Sequence, residues 1–293
     1  MEPLSFKDAI VDTMATSMAN LNIESTVKLN NNVRIPILGL GVYQTPPGRV
    51  TQNAVKFALS VGYRHVDTAR IYGNEADVGE AVRKSGVPRE QLFVTTKLWN
   101  ADQGYDSTLR ACEASLKRLG FDYLDLYLIH FPVPETRKES WKAMKTLLEK
   151  GKCRAIGVSN FTIPHLEDLL EEHELVPAVN QVEFHPFLYQ KELLEYCQRK
   201  GIQVEAYSPL ARGEKMKHPR ITAVATKYSK SPAQIMIRWS IQHGLVVIPK
   251  STREERIREN SQVFDFEISA EDMRSLDSLN EGLRLNWDPT NIP

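Results

Sequence analysis

The chain is 293 residues long, 42% hydrophobic and 25% charged, a composition typical of a folded globular protein. This length allows two modest domains or one barrel of about 250 residues with extensions. The 37 basic and 37 acidic side chains balance, so no net charge favours nucleic acid or a membrane surface as a partner. Three widely spaced cysteines, Cys112, Cys153 and Cys197, form no disulfide or zinc pattern, which indicates a reducing, cytoplasmic location. The apolar runs are of strand length, too short to span a bilayer.

Residues 1–25 precede the regular pattern of the chain. They contain Glu2, Asp8 and Asp12, a single lysine and no continuous apolar stretch, which argues against a secretory signal. We expect a flexible or loosely docked extension, with an atypical transit peptide or a cover over a substrate site as alternatives. No linker rich in Gly, Ser or Pro divides the rest, so residues 26–293 are predicted to form a single domain.

Short apolar segments alternate with amphipathic segments from residue 26 onward. Thr26–Lys28 and Val33–Ile35 flank an Asn-rich turn and predict a small β-hairpin. Eight further segments are rich in Val, Ile, Leu or Tyr and alternate only weakly, as strands buried on both faces do. They are Ile37–Val42, His65–Thr68, Leu92–Leu98, Leu124–His130, Arg154–Ser159, Ala178–Phe184, Gln203–Tyr207 and Leu245–Pro249.

Helix signals fill the intervals between these strands. Ser231 followed by Pro232 predicts an N-cap and a first-turn proline, and Thr252 with Glu255 predicts a capping box. Eight successive strand–helix units favour an α/β fold, a closed (β/α)8 TIM barrel, over an open sheet. The short N-terminal β-hairpin would precede the barrel. The long segments 209–230 and 283–293 would form extra helices and loops at its C-terminal rim.

Polar or ionisable residues stand at the carboxyl ends of nearly all the predicted strands, where the active sites of such barrels lie. They are Asp67, Lys97, His130, Ser159, Asn160, Gln181, Tyr207, Ser208, Lys250 and Ser251. One such residue would mean little, but the set predicts a polar pocket.

Four residues form the candidate catalytic group: Asp67, Tyr72, Lys97 and His130. A tyrosine is a weak acid with an ordinary pKa of about 10, and a nearby lysine ammonium would lower that pKa. Asp67 would hold Lys97 in place, while His130 would orient a carbonyl oxygen beside the phenol. This arrangement suits proton donation to an oxygen that gains negative charge, as carbonyl reduction requires. Taken singly, the four could equally be a strand-end cap, a packing tyrosine, a solvated lysine and a core histidine.

Several motifs together resemble the aldo-keto reductase family. They are Gly62–Ala69, Tyr72–Glu75, Thr95–Trp99, Asp125–His130, Ile156–Phe161, Asn180–Glu183, Ala206–Leu210 and Ile248–Ser251. Arg256, Glu259 and Asn260 continue the match, which covers about residues 26–280 in unbroken order. The resemblance implies an NADPH-dependent reductase of aldehydes and ketones, built without a Rossmann domain or a metal.

The resemblance also implies roles for individual residues. Tyr72 would be the general acid, Lys97 and Asp67 would lower its pKa, and His130 would orient the substrate. Ser159, Asn160 and Gln181 would hydrogen-bond the nicotinamide carboxamide, and Tyr207 would stack on its ring. The full set for NADPH or NADP⁺ is Gly41, Val42, Tyr43, Asp67, Ser159, Asn160, Gln181, Tyr207, Ser208, Leu210, Lys250, Ser251, Thr252, Arg256, Glu259 and Asn260.

The basic residues after the last strand favour NADPH over NADH. By the resemblance, Lys250, Ser251 and Arg256 would hold the 2′-phosphate, with Asn260 near the adenine. Lysine and arginine supply charge-assisted donors to a phosphate, and a helix beginning after Thr252 would add a favourable N-terminus. Arg253 and Arg258, by contrast, are expected to be ordinary surface charges.

The predicted substrate pocket for a small carbonyl compound is aromatic. Its residues would be Tyr43, Tyr72, Trp99, His130, Phe131 and Trp287. Motifs around Tyr43, Trp99 and Phe264 are most similar to the microbial and protozoan branch of prostaglandin F synthase-like, glyoxal and diketogluconate reductases. Phe131 departs from that branch, which usually has Trp after the catalytic His, so the preferred substrate stays open. The tail lacks the long loop of steroid-handling relatives, which makes bulky steroids poor candidates.

Other protein classes fit the motifs less well. Gly39 and Gly41 begin a dinucleotide fingerprint, but Gln44 stands where its third glycine belongs. Phe161 replaces the closing glycine of a nucleophile elbow, and no metal-ligand spacing occurs. The remaining rival is a non-catalytic NADPH-binding redox sensor or structural protein on the same barrel. Such a protein would tolerate losses among the catalytic four, all of which are present. We expect a monomer, because one chain supplies every motif.

Overall fold

A computed structural model describes residues 21–293, and its first element is an antiparallel hairpin of β1 (Thr26–Lys28) and β2 (Arg34–Pro36). Eight parallel strands follow, each paired with its neighbour in the chain. They are β3 (Leu40–Gly41), β4 (His65–Asp67), β5 (Phe93–Leu98), β6 (Leu124–Ile129), β7 (Cys153–Ser159), β8 (Val179–Glu183), β9 (Gln203–Tyr207) and β10 (Val246–Val247). Parallel bridges from Leu38 to Val247 and from Gly41 to Lys250 join the first strand to the last. The sheet therefore closes, and the predicted (β/α)8 barrel is confirmed.

Helices surround the barrel and connect its strands. They are α1 (Arg49–Ser60), α2 (Glu75–Arg83), α3 (Tyr105–Leu119), α4 (Arg137–Glu149), α5 (Ile163–Glu172), α6 (Lys191–Lys200), α7 (Pro219–Tyr228), α8 (Pro232–Gln242), α9 (Glu254–Ser261) and α10 (Ala270–Asp277). Two of them, α7 and α10, exceed the one-helix-per-strand pattern. Helix α7 lies in the long segment after β9, as predicted. No helix within residues 21–293 is long and apolar enough to cross a membrane.

The first and last strands of the barrel, which meet where the sheet closes, are shorter than the sequence predicts. Strands β3 and β10 have two residues each, although Ile37–Val42 and Leu245–Pro249 were the expected segments. The N–H groups of Gly39 and Gly41 still donate to the carbonyls of Val247 and Pro249, and that of Val247 donates to Ile37. Pro249 has no N–H to continue this ladder, so the pairing ends in isolated bridges.

The hairpin closes the N-terminal end of the barrel. Leu29 and Ile35 are buried against apolar side chains of the barrel interior. Asn31 Nδ2 donates to the carbonyl of Arg154 at 2.9 Å, at the beginning of β7. One end of the barrel is thereby sealed, which leaves the carboxyl ends of the strands for a site.

The predicted extension of residues 1–25 lies mainly outside the described residues, and the division at residue 26 stays a prediction. Within the described part, Leu21 and Ile23 are partly buried against the core, and the carbonyl of Ser25 accepts a hydrogen bond from the N–H of Ile37. The domain therefore has ordered contacts from residue 21 onward.

One predicted helix cap is confirmed and another is wrong. Ser231 caps α8, and its hydroxyl accepts from the N–H of Gln234 while the Gln234 side chain accepts from Ser231. The capping box expected at Thr252 does not form, because the chain stays extended through Arg253 and α9 begins at Glu254. The N-terminus of α9 consequently lies one residue later than expected.

Candidate active site

A cavity of about 700 Å³ opens at the carboxyl ends of the barrel strands. Every predicted cofactor residue except Val42 lines it; Val42 is buried in the core. Tyr72, His130 and Trp287 also line the cavity. The residues that the sequence places at strand ends therefore meet in one space.

A buried ion pair forms the floor of the cavity. Nζ of Lys97 lies 2.6 Å from Oδ1 and 2.8 Å from Oδ2 of Asp67, and donates to the carbonyl of Thr68 at 2.9 Å. The Lys97 side chain is fully buried, so it is not the solvated strand end that one alternative proposed. Strands β4 and β5 are neighbours, and their parallel pairing brings both side chains to the same end of the barrel.

Tyr72 lies above this pair, in a 3₁₀ turn that follows β4. Its ring centroid is 5.1 Å from Nζ of Lys97, 5.7 Å from the His130 ring and 5.0 Å from the Tyr43 ring. The four predicted catalytic residues thus form one cluster, as the strand-end pattern requires.

The phenol and the imidazole are both neutral in this site. The surrounding protein shields the Tyr72 hydroxyl from water, and the charge of Asp67 opposes ionisation further, so the pKa of Tyr72 is raised well above 10. The expected net lowering of this pKa is wrong, because burial and then the charge of Asp67 oppose ionisation of the phenol. Burial, followed by the charge of Lys97, holds the pKa of His130 well below 6.5.

A hydrogen-bond network fixes the wall beside His130. Asn160, with a left-handed φ of 63°, donates from Nδ2 to the carbonyl of His130 at 2.9 Å. The Tyr207 hydroxyl donates to Oδ1 of Asn160 at 2.7 Å, and the Ser159 hydroxyl donates to the carbonyl of Gln181 at 2.8 Å. The polar residues at the ends of β7, β8 and β9 are therefore held in place by hydrogen bonds within the protein.

A second buried carboxyl, which the sequence analysis missed, lies in the same floor. Nε2 of Gln181 donates at 2.8 Å to Oδ2 of Asp67 and at 2.8 Å to Oε2 of Glu205. Burial and the charge of Asp67 raise the pKa of Glu205 to about 8. The available signal was an acidic residue between the apolar Val204 and Ala206 in a predicted barrel strand.

The aromatic wall is built around Trp287 of the C-terminal tail. The Trp287 ring lies 5.3 Å from that of His130, 5.6 Å from that of Trp99 and 6.3 Å from that of Phe131. Trp99 and Phe131 were predicted to line the substrate pocket, but they do not line this cavity and instead pack against the Trp287 ring. Tyr43 lines the cavity as predicted.

Three cationic side chains line the part of the cavity next to the N-terminus of α9. Lys250, Arg253 and Arg256 all line it, although Arg253 was expected to be a plain surface charge. No carboxylate within residues 21–293 lies within 4 Å of these three groups. Arg258, in contrast, packs its guanidinium over the ring of Phe57 at 5.2 Å. The part of the cavity next to α9 is therefore suited to an anion.

Comparison with known proteins identifies the family. A model of the Aldo/keto reductase family matches residues 38–281. The chain belongs to this family. A glyoxal reductase of Bacillus subtilis is 52% identical over 271 residues, which cover 92% of this chain and 98% of that protein. A 9,11-endoperoxide prostaglandin H2 reductase of Trypanosoma cruzi is 51% identical over 269 residues, which cover 91% of this chain and 95% of that protein.

Solved structures of other aldo-keto reductases share the fold. One from a Medee basin deep-sea metagenome library is 47% identical, with a TM-score of 0.87 over 92% of this chain and all of that one. A Bombyx mori aldo-keto reductase in complex with NADP is 38% identical, with a TM-score of 0.84 over 90% of this chain and 95% of that one. The microbial and protozoan relatives agree with the branch that the sequence motifs indicate.

This aldo/keto reductase has further cavity residues that sequence patterns did not indicate. Arg212 donates to Oε1 of Gln44 at 3.3 Å, and Asn286 donates to the Ser208 hydroxyl at 3.2 Å. These contacts join loops that are far apart in the sequence, so no local motif marks them. Among residues 21–293, no group of three or more His, Cys, Asp or Glu side chains is arranged to hold a metal ion.

Proposed function

We propose that this protein reduces aldehydes and ketones to alcohols with NADPH, and that Tyr72 donates the proton. The observation that carries the proposal is the Tyr72 phenol and the His130 imidazole facing one cavity, beside the buried Lys97–Asp67 ion pair. A protonated phenol is the form that donates, and the raised pKa of Tyr72 keeps it in that form at neutral pH.

The catalytic cluster suits an oxygen that gains negative charge. When bound, NADPH supplies the hydride. Tyr72 transfers its proton to the carbonyl oxygen, and the nearby Lys97 charge favours the phenolate that remains. His130, whose lowered pKa leaves it uncharged, orients the carbonyl by a hydrogen bond. Asp67 holds the ammonium in position throughout.

The donor set of the cavity fits a dinucleotide phosphate. Lys250, Arg253 and Arg256 offer charge-assisted hydrogen bonds to a 2′-phosphate, which NADH lacks. The N-terminus of α9 adds favourable backbone dipoles. In the floor of the cavity, Nε2 of Gln181 donates hydrogen bonds to two carboxyl groups. No group within residues 21–293 donates a hydrogen bond to its Oε1, so this oxygen is available to the NH₂ of a carboxamide. This supports NADPH as the cofactor.

A small carbonyl compound fits the aromatic mouth best. The relatives named for glyoxal and for a prostaglandin endoperoxide support reduction at a carbonyl or peroxide oxygen. Trp287 beside His130 restricts the width of the entrance, which favours slender aldehydes such as methylglyoxal over bulky ring systems. We keep the cytoplasmic location and the monomeric state as parts of this proposal.

The Tyr72→Phe variant tests this function. Loss of the hydroxyl removes the proton donor and little volume, so we expect kcat with methylglyoxal to fall about 10²–10⁴-fold. The Kd for NADPH, measured by fluorescence quenching, should change less than about twofold. Turnover is followed by the loss of NADPH absorbance.

Two results would contradict the proposal. Near-normal turnover by the phenylalanine variant would remove Tyr72 as the acid. Tight NADPH binding by the wild-type protein without turnover of any of a panel of aldehydes would instead favour the non-catalytic sensor.

A further inference from the structure

The proposed reaction does not use Glu205, although its carboxyl belongs to the floor of the cavity. Glu205 is on β9 and is fully buried. Its Oε2 and the Oδ2 of Asp67 accept hydrogen bonds from the same nitrogen, Nε2 of Gln181. Two carboxyl groups therefore meet at one amide beside the proposed nicotinamide position.

The floor holds too few positive charges for two ionised carboxylates. All three hydrogens of the Lys97 ammonium are used, two by Asp67 and one by the carbonyl of Thr68. None remains for Glu205. An unpaired buried carboxylate is costly, so the pair of acids retains a proton. Since Lys97 binds Asp67, the proton rests on Glu205.

The other groups facing Glu205 do not replace the missing cation. From β4, Nε2 of His65 lies 3.5 Å from Oε1 of Glu205, but burial and the charge of Lys97 lower the pKa of His65 to about 3. His65 is therefore neutral near pH 7. From β10, the residue paired with Glu205 is the apolar Val246. The raised pKa of Glu205, about 8, agrees with this count of charges.

We propose that Glu205 is a positioning residue, acting through Gln181, that releases its proton when the oxidised cofactor binds, so that the site distinguishes NADP⁺ from NADPH by charge. This inference rests on the proposed function. The oxidised nicotinamide ring carries a positive charge and the reduced ring is neutral, so an ionised Glu205 attracts only the oxidised form. By linkage, a cation that favours ionisation of the acid must itself bind better when the acid is ionised.

The affinity ratio of the two cofactors as a function of pH tests this proposal. In the wild-type protein, we expect the ratio Kd(NADP⁺)/Kd(NADPH) to fall about tenfold between pH 6.5 and 9, equivalent to one pKa unit of coupling. The 2′-phosphate ionises in both ligands and cancels in the ratio. Calorimetry of NADP⁺ binding at pH 7.5, in two buffers of different ionisation enthalpy, should show proton release that NADPH binding does not.

The Glu205→Gln variant keeps the shape and an acceptor for Gln181 but cannot ionise. Its affinity ratio should stay constant with pH, and its proton release should disappear. Glu75→Gln is the matched control, because it removes another buried carboxyl, one that already has Arg118 and Thr96 as partners. This control should keep the wild-type slope.

The outcomes separate this inference from the proposed function. A constant ratio in the wild-type protein, no proton release, or an unchanged slope in Glu205→Gln would overturn the role of Glu205. Failure of the wild-type protein to bind either nucleotide at any pH would overturn the proposed cofactor itself. The calorimetric proton count uses only wild-type protein, so it decides the question even where a variant folds poorly.

Discussion

Tyr72, His130, Glu205 and His65 are all neutral near pH 7 because each is shielded from water, and the sequence does not show this. Residue type and position identified Tyr72 and His130 as candidates, since both stand near strand ends. The pKa of Tyr72 is raised because burial, and then the charge of Asp67, oppose ionisation of the phenol, and packing decides both. A sequence argument that counts nearby charges without burial therefore predicted the wrong direction.

Arg256 gives a prediction for cofactor choice. Hydrogen bonds that involve a charged group contribute about 1.5–3 kcal/mol, so Arg256→Ala should weaken NADPH binding roughly 10–100-fold. NADH has no 2′-phosphate, and its Kd should change much less. Fluorescence titration with each nucleotide measures the two effects. Arg258→Ala is the control, because Arg258 packs on Phe57 away from the cavity. Equal losses for NADPH and NADH would refute the phosphate contact.

At the scale of elements, one buried carboxylate holds two consecutive backbone N–H groups of the C-terminal tail against the barrel. Glu183, at the end of β8, accepts hydrogen bonds from the N–H of Leu285 at 3.0 Å and of Asn286 at 3.0 Å. The next residue is Trp287, which covers His130. A strand end thus determines where an aromatic residue from a distant segment lies. The sequence indicated Trp287 by composition alone and gave no sign of this attachment.

Glu183→Gln tests whether the attachment shapes the substrate site. The neutral amide is a weaker acceptor for the two N–H groups, so the tail should detach more often and the KM for methylglyoxal should rise several-fold. The Kd for NADPH should change less than about twofold, because the cations at α9 are unaffected. Steady-state kinetics and the rate of protease cleavage after residue 283 provide the measurements.

Glu281→Gln serves as the control for the tail. Glu281 lies in the same segment but is half-exposed, and its one ion-pair partner within residues 21–293 is Lys215. An exposed pair contributes little, so this variant should behave as wild type. Similar KM changes in both variants, or none in Glu183→Gln, would contradict the role given to Glu183.

At the scale of the whole molecule, the barrel interior ties stability to pH in two opposite directions. Glu205 has a pKa of about 8 when folded, against an ordinary value of 4.5, so the folded state keeps a proton that the unfolded chain releases between these values. Stability therefore falls as pH rises from 4.5 to 8. His65 has a pKa of about 3, against 6.5, so the unfolded chain binds a proton that the folded state does not. Stability therefore also falls as pH drops from 6.5 towards 3.

Thermal unfolding between pH 5 and 9 checks this prediction. Wild-type protein should have its highest Tm at mildly acidic pH, and Glu205→Gln should lose less of its Tm between pH 6 and 9 than wild type does. The difference should exceed about 2 °C, which corresponds to roughly 1 kcal/mol for a chain of this size. Parallel curves for the two proteins would show that Glu205 does not contribute to the alkaline loss.

The sequence by itself determined the strand order, the barrel and the candidate catalytic group, because hydrophobic periodicity and strand-end position are local properties of a repeating fold. Through motifs that lie in chain order, it also predicted a set of cofactor residues, and nearly all of these line one cavity. Only the tertiary structure decided the lengths of β3 and β10, the burial of Glu205 beside Gln181 and the contact of the Trp287 segment with Glu183. These features depend on hydrogen bonds of about 3 Å between segments that are far apart in the sequence. The protonation states of the site follow from the same tertiary contacts.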